Sequence, residues 1–450
     1  MSWVVEYILS FHNWWNKVNA VKADILSEKV AALQSAASSS TSSSPPFLRL
    51  GVLSAAAINH TAIWDPASTH PGAVITGVAA RDRARAEAQI ARNRRFIPEG
   101  APCRAYGSYA ALLDDAPDVD AVYIPLPNGL HHEWALAALK RGKHVLIEKP
   151  LASNAQQARE IRDAATAAGK VVLEAFHWRF HPSAHVVKQL LLSGEHGRVL
   201  SVDARAVIPG GVLKSDDIRF QYGLAGGCCM DLTYVFSAVA YFAARDVTDP
   251  NLEFEVVDAK ARLNRNDKLV DEAVWATLRI KDPHPDAFSD TGSAAAAAAA
   301  DVTATVTADL SQPKLFGLIP KLWDAGSPTV TIQCERAEIV FENFMGPWLS
   351  HKIAVVPVTR DPATGRTIKR GKAITLKQFK GGPLWDRELA TGGCEWWTTY
   401  RWQLEAFVRR IREGEAGGYK GPWVDMAESI RVMEMIDRTY EKLGLPVRGA

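Results

Sequence analysis

The sequence predicts an α/β domain built on a doubly wound parallel sheet, followed by an α+β domain on an open, mostly antiparallel sheet. Three observations carry this. From Phe47 onward, apolar runs without polar alternation are each separated by an amphipathic helical stretch, the pattern of a parallel sheet covered on both faces. After Arg198 the chain turns to β-rich runs with no alternating helices, as an antiparallel sheet requires. At 450 residues it exceeds the size at which one core keeps growing, so two packed domains plus extensions are expected.

Residues 1–35 set Trp3, Tyr7, Ile8, Phe11, Trp14, Trp15, Val18, Val21 and Ile25 at helical spacing, interrupted by Glu6, Lys17, Lys22, Asp24 and Glu28. No apolar run approaches the roughly 20 residues of a membrane span, and no basic segment precedes the apolar part as in a signal peptide. The segment reads as an amphipathic helix that either docks on the protein body or rests on a membrane surface or partner; docking is favoured. Residues 36–46, within "SAASSSTSSSPP", are a Ser/Pro linker that cannot bury a core.

The first domain, 47–180, follows. "FLRLGVL" is its first strand and "AVITGVAARD" its second, leading into the helical "RARAEAQIARNRR". "VDAVYIPLP" is the third strand, with the helix "HHEWALAALKRG" behind it. "KHVLIEKP" is the fourth, followed by a helix with Ser153 and Gln156 in capping-box spacing, and "KVVLEAF" is the fifth. The second domain, 181–395, contains "VLSVDARAVI", "FEVVDAKARL", "EAVWATLRI", "VTATVTADL", "PTVTIQC", "AEIVFEN" and "KIAVVPV". Residues 396–450 carry two helices, about 396–414 and 424–443. Two insertions stand out: Pro283–Asp301, read as a long hairpin loop, and the Gly- and aromatic-rich Lys377–Thr399, a candidate cover for the site mouth or a subunit contact.

Composition excludes some functions. Lys+Arg 52 against Asp+Glu 50 gives +2, no electrostatic footprint for nucleic acid. Five cysteines, with Cys228 and Cys229 adjacent, form no CxxC pair and no even-numbered disulfide framework, which fits a reducing, cytoplasmic setting. His177, His181 and His185 have helical spacing, but Pro182 interrupts it and no Cys or carboxylate cluster joins them, so no metal site is expected. The Asn59-His60-Thr61 glycosylation pattern falls on the expected cofactor helix and is disregarded.

In a doubly wound sheet, ligands sit at the carboxyl ends of the strands, where helix N-termini offer free N–H groups. The first strand ends in "GVLSAAAINH", which keeps Gly51 but sets Ser54, Ala55 and Ala56 where glycines would stand. Small side chains still admit a pyrophosphate, so this loop is either a cofactor site or ordinary tight packing. The second strand ends Ala79-Ala80-Arg81, without the acidic residue that holds a ribose 2′-hydroxyl. An arginine there offers a fork-shaped cation to a 2′-phosphate, favouring NADP(H) over NAD(H), unless Arg81 simply belongs to the basic helical surface that follows.

"DAVYIPLPNGLHHEWALAALKRGKHVLIEKPLA" (Asp120–Ala152) resembles the hallmark segment of the Gfo/Idh/MocA oxidoreductase family in its "PN..H" turn, its "GKHV" helix end and its "EKP" motif. The likeness continues through "EAFHWRFHP", "GRVLSV", "IRFQYGLAGGCCMDL", "TTYRWQLEAFVRRI" and "MEMIDRTYEKLGLPVR", covering about 47–445. Within the family the chain looks most like the NADP-linked D-xylose 1-dehydrogenases and dimeric dihydrodiol dehydrogenases. The resemblance implies a Rossmann cofactor domain, C-terminal helices packed back on it, and a possible homodimer. It implies Lys149 as the catalytic lysine and Glu148 at the nicotinamide ribose. It also implies cofactor contacts from Gly51, Ser54, Ala55, Ala57, Ile58, Arg81, Pro125, Pro127, Asn128, His131 and Arg179.

Lysine is an unusual base, since its free pKa is about 10.4, but burial and a neighbouring cation bring such a group toward neutrality. In the family an Asp is followed four residues later by a His or Tyr that serves the substrate pocket. Here Asp231 is present, Val235 takes the later position, and Tyr234 comes one residue early. One helical residue is a turn of about 100°, so either local geometry re-aims Tyr234, or Lys149 works with Asp231, water and another polar group. The expected reaction is oxidation of a pyranose C1 hydroxyl, as in D-xylose, to the 1,5-lactone by hydride transfer to NADP. The alternatives are a trans-dihydrodiol dehydrogenase or a non-catalytic dinucleotide-binding regulator. Trp178, Trp396 and Trp397 offer faces to a sugar or an arene.

Overall fold

The computed structural model describes residues 18–34, 47–281, 283, 301–314, 326–361, 364–389, 392–414 and 418–449. The poly-Ala stretch of the expected hairpin, the Ser/Pro linker and the first 17 residues lie outside these.

Six strands form the first sheet: β1 (Leu48–Leu53), β2 (Ala73–Ala79), β3 (Arg104–Tyr106), β4 (Ala121–Ile124), β5 (His144–Ile147) and β6 (Val172–Glu174), in the order β3-β2-β1-β4-β5-β6. All pairs are parallel. Every residue of β2 and β4 is buried, which is why these strands read as continuous apolar runs. The short edge strand β3 has no such signature and was not foreseen. Strand order reverses between β1 and β4, which opens the ligand crevice at their carboxyl ends.

The second sheet holds nine strands: β7 (Val199–Pro209), β8 (Glu253–Leu263), β9 (Asp271–Lys281), β10 (Val302–Gln312), β11 (Thr329–Cys334), β12 (Ala337–Glu342), β13 (Lys352–Arg360), β14 (Thr367–Arg370) and β15 (Ile374–Leu376). It is antiparallel except where β10 runs parallel to β7. The buried helix Tyr234–Ala243 covers one face against β7 and β10.

The helix Met426–Leu443 joins the two sheets. Its Ile430, Met433, Ile436 and Tyr440 follow helical spacing and are buried, and it packs on both the helix Ala155–Ala168 and β8. The helix Thr399–Glu413 lies against residues 177–180. Trp385 of the Gly-rich connection is fully buried and donates to the Phe180 carbonyl at 2.8 Å, so this part of the insertion is wedged into the body.

The helix over 18–34 docks on the first domain. Lys22 pairs with Asp65 at 2.9 Å, and the buried Lys29 ammonium donates to the Ala67 carbonyl at 2.6 Å. Both partners belong to the helical run that follows the β1 loop. The helix after β5 is capped one residue later than its sequence suggests: Asn154, extended at φ −156°, accepts from the Gln157 amide, and Gln157 accepts from the Ser153 amide at 3.1 Å. Among the described residues no single helix is long and apolar enough to cross a membrane.

Candidate active site

Because β1, β2, β4, β5 and β6 are parallel, the residues just past their ends meet along one edge of the sheet. Strand β5 delivers Glu148, Lys149 and Pro150 there, with a cis Lys149–Pro150 peptide. Three side chains from the surrounding elements brace this turn. Tyr123 of β4 donates to Glu148 at 2.6 Å, and the Leu151 amide donates to Glu174 of β6 at 2.9 Å. His131, fully buried, sets its ring nitrogens 2.7 Å from the Pro150 carbonyl and 2.9 Å from that of Leu126. Burial pushes the carboxyl pKa of Glu148 up, against the Tyr123 bond and the Lys149 cation, and takes that of Glu174 to about 8.

So braced, Lys149 reaches Asp231 across the crevice. Its Nζ donates to the Asp231 carbonyl at 2.7 Å and to Oδ1 at 3.2 Å. The other carboxylate oxygen is 3.0 Å from Arg219 Nε, and Arg219 also pairs with Asp217 at 3.0 Å. Burial would raise the Asp231 pKa, but the Lys149 and Arg219 cations outweigh it and hold the carboxyl below its usual value. Both Lys149 and Asp231 side chains are 13% exposed, so the pair faces the crevice rather than bulk solvent.

The chain resolves the question of Tyr234 by breaking its helix. Cys228–Asp231 forms one short turn, Leu232 and Thr233 interrupt it, and a new helix starts at Tyr234; the flanking segments meet at 45°. The regular turn per residue therefore does not carry across the break. The Tyr234 ring lies under Lys149, with Nζ 5.1 Å from its centroid, and its hydroxyl is 3.0 Å from His177 Nε2. Tyr400, from the helix Thr399–Glu413, hydrogen-bonds with Tyr234 and stacks on His177 at 4.2 Å.

The cofactor expectations divide. After β1, the N–H groups of Ala55, Ala56, Ala57 and Ile58 have no protein acceptor among the described residues, while Ala57 and Ile58 are exposed. Behind them, Asn59 closes the loop by donating to the Ser54 carbonyl at 2.8 Å. Free amides on a small-residue loop that leads into a helix fit the pyrophosphate of a dinucleotide. Arg81 is exposed just past β2 and makes no hydrogen bond or ion pair among the described residues, so its guanidinium is available for a 2′-phosphate. Pro125 is buried and Pro127 half-buried at the end of β4. Asn128 bridges to the second domain, donating to the Ala225 carbonyl at 3.2 Å.

Three residues expected at the cofactor are occupied elsewhere. Gly51 lies inside β1, where an added Cβ would stand 2.8 Å from Leu112 Cδ2, so its smallness serves helix packing beneath the loop. Both ring nitrogens of His131 are taken by the turn it braces. Arg179 is 6% exposed, forks onto Glu428 at 2.8 and 3.0 Å, and lies 3.3 Å over the Tyr241 ring. Its 3-10 turn points the guanidinium into the seam beneath the Met426–Leu443 helix. Trp178 is fully buried, Trp397 is buried against Arg401, and Trp396 packs near Lys22. Among the described residues no group of three His, Cys, Asp or Glu is placed to hold a metal, and His177, His181 and His185 fall on a 3-10 turn, a cap and a helix.

Arg219, Tyr400, Tyr123 and Glu174 were not singled out from sequence as site residues. Each is ordinary in its own stretch and joins the site through a partner on another element.

A doubly wound sheet with an amide-lined loop meets a lysine–carboxylate pair and a tyrosine at the crevice, an arrangement of the nucleotide-binding α/β class. Residues 49–176 match the Gfo/Idh/MocA model, described as an oxidoreductase family with an NAD-binding Rossmann fold. A protein of Haloferax volcanii named D-xylose 1-dehydrogenase (NADP(+)) 2 is 45% identical over 179 residues, covering 39% of this chain and 50% of that one. One of Streptomyces antibioticus, dTDP-3,4-didehydro-2,6-dideoxy-alpha-D-glucose 3-reductase, is 36% identical over 203 residues, covering 45% and 58%. The chain thus spans about half the length of the curated relatives it matches. A solved structure of a 3-ketoreductase from Actinomadura kijaniata with NADP shares the fold at TM-score 0.62 and 22% identity, covering 88% of this chain and 98% of that one.

Proposed function

We propose that this chain is an NADP-dependent oxidoreductase of CH–OH groups whose substrate is a pyranose, with oxidation of the D-xylose C1 hydroxyl to the 1,5-lactone as the leading reaction. The observation that carries the reading is the Lys149–Asp231 pair at the end of β5, with the Tyr234 ring beneath the ammonium. NADP, when bound, supplies the hydride acceptor. The amides of Ala55 to Ile58 would hold its pyrophosphate, Arg81 its 2′-phosphate, and Glu148 would stand near the nicotinamide ribose.

Lys149 spends two of its valences on Asp231, one on the backbone oxygen and one on the carboxylate. The third is left for the reacting oxygen. As a lone pair it accepts the hydroxyl proton during oxidation, and as an N–H it donates to the carbonyl oxygen in the reverse direction. Arg219 draws on the same carboxylate, which weakens the hold of Asp231 on the lysine proton. Tyr234 offers a second donor to the same oxygen. The name of the Haloferax relative supports the substrate class and cofactor. All five cysteines are free thiols, which suits a reducing cytoplasm, and a homodimer is the proposed assembly.

The test is nicotinamide reduction with D-xylose, D-glucose and a trans-dihydrodiol, and oxidation of NADPH with a keto-sugar, comparing the wild type with Lys149→Ala. Turnover of a pyranose that Lys149→Ala lowers by roughly a hundredfold or more is expected. Tight NADPH binding without turnover of any substrate would refute the enzyme reading.

A further inference from the structure

His177 stands directly behind Tyr234, and its surroundings decide what it does there. The imidazole is 6% exposed. Its Nε2 is 3.0 Å from the Tyr234 oxygen, and the two rings meet edge-on at 5.4 Å. Tyr400 stacks on it at 4.2 Å with 37° between planes. The titratable groups facing this pocket are Lys149, Tyr234 and Tyr400, with Glu148 and Asp231 also acting on Tyr234. Burial, reinforced by the Lys149 cation, takes the imidazole pKa down to about 3. A neutral ring is therefore present at physiological pH, and it carries one N–H.

That proton has two places. On Nδ1 it would be a buried donor with no acceptor among the described residues, the costlier kind of orphan. On Nε2 it donates to the Tyr234 oxygen, leaving only a bare lone pair unsatisfied. In that tautomer Tyr234 receives a bond from behind, so its own O–H is not spent on His177 and is shared between Tyr400, its other hydrogen-bond partner, and the crevice. Burial and the nearby Tyr400, Glu148 and Asp231 push the Tyr234 pKa well up, so the phenol keeps this proton.

We propose that His177 is a positioning residue for the site: its Nε2–H donates to the Tyr234 oxygen and so frees the phenol proton from His177 for the reacting oxygen held by Lys149. This rests on the oxidoreductase reading above. The role comes from the bend after Asp231, which brings Tyr234, one residue early in the motif, against a histidine that no spacing rule connects to it.

The tautomer is read directly by NMR of imidazole-15N-labelled protein, with the His177→Phe spectrum subtracted to assign the ring. The expected signal is the Nε2–H tautomer, unchanged between about pH 5 and about pH 8 and shifted by Tyr234→Phe. An Nδ1–H tautomer or an imidazolium would overturn the proposal. In kinetics, His177→Phe is expected to lower kcat by roughly ten- to a hundredfold with substrate KM and NADPH affinity little changed, and His177→Gln, which keeps an N–H donor, to recover much of it. Equal kcat in folded His177→Phe and wild type would also overturn it. If the wild type turns over no substrate, the functional reading fails while the tautomer spectrum still decides this one.

Discussion

Replacing Arg179 with methionine removes one half of a buried ion pair while keeping most of the stem volume. The Arg179 side chain is 7% exposed and that of Glu428 1%, and two hydrogen bonds of 2.8 and 3.0 Å join them. The variant leaves the Glu428 carboxylate buried without its cation, a loss of about 3–5 kcal/mol. The guanidinium also leaves the Tyr241 face, where a desolvated cation–π contact contributes about 1–2 kcal/mol. With roughly 2.1 cal/mol/K of unfolding entropy per residue, 450 residues give about 0.9 kcal/mol/K, so Tm should fall by about 4–7 °C if the two sheets unfold together. Adding Glu428→Leu removes the stranded charge and should recover all but the cation–π part. Calorimetry reads the stability, and NADPH fluorescence titration reads the affinity, which should stay within a few-fold of wild type. An unchanged Tm together with a tenfold or greater loss of NADPH affinity would refute the assignment of Arg179 to the seam and return it to the cofactor.

Arg81→Ala should weaken NADP(H) binding by roughly tenfold or more while leaving NAD(H) nearly untouched, because the lost cation meets only the 2′-phosphate; equal losses measured by titration would refute that role. Glu174 should make stability pH-dependent. Its folded pKa of about 8 lies above its unfolded value, so the folded state binds the extra proton, and stability present at low pH is lost as pH rises toward 8. In Glu174→Gln, which still accepts from the Leu151 amide, a urea-unfolding series should show that decline removed; an identical pH profile in both proteins would sink the argument.

The doubly wound sheet was legible because buried parallel strands must be apolar throughout, and Lys149 because the turn that carries it is contiguous in the chain. The strands of the second sheet were legible for a similar local reason, though the parallel pairing of β10 with β7 was not, since residue pattern does not encode a partner's direction. The edge strand β3 escaped because three residues, one exposed and two half-buried, carry no periodicity.

The site beyond Lys149 was another matter. Tyr234 depends on a two-residue break that reorients a helix, and Tyr400 reaches the same crevice from a helix 166 positions further along, as their numbers give. Arg179 and His131 sit in stretches that read as pocket lining, yet each is consumed by a partner: Glu428 for one, two backbone carbonyls for the other. Taken alone, the sequence determined the layered α/β architecture, the placement of a lysine at a strand end and the small-residue loop beside it, because all three are set by neighbours within a few residues. Only the tertiary structure decided which polar side chains face the crevice and which are spent inside, because a buried donor or charge goes to whichever acceptor the packing brings within about 3 Å, whatever its distance along the chain.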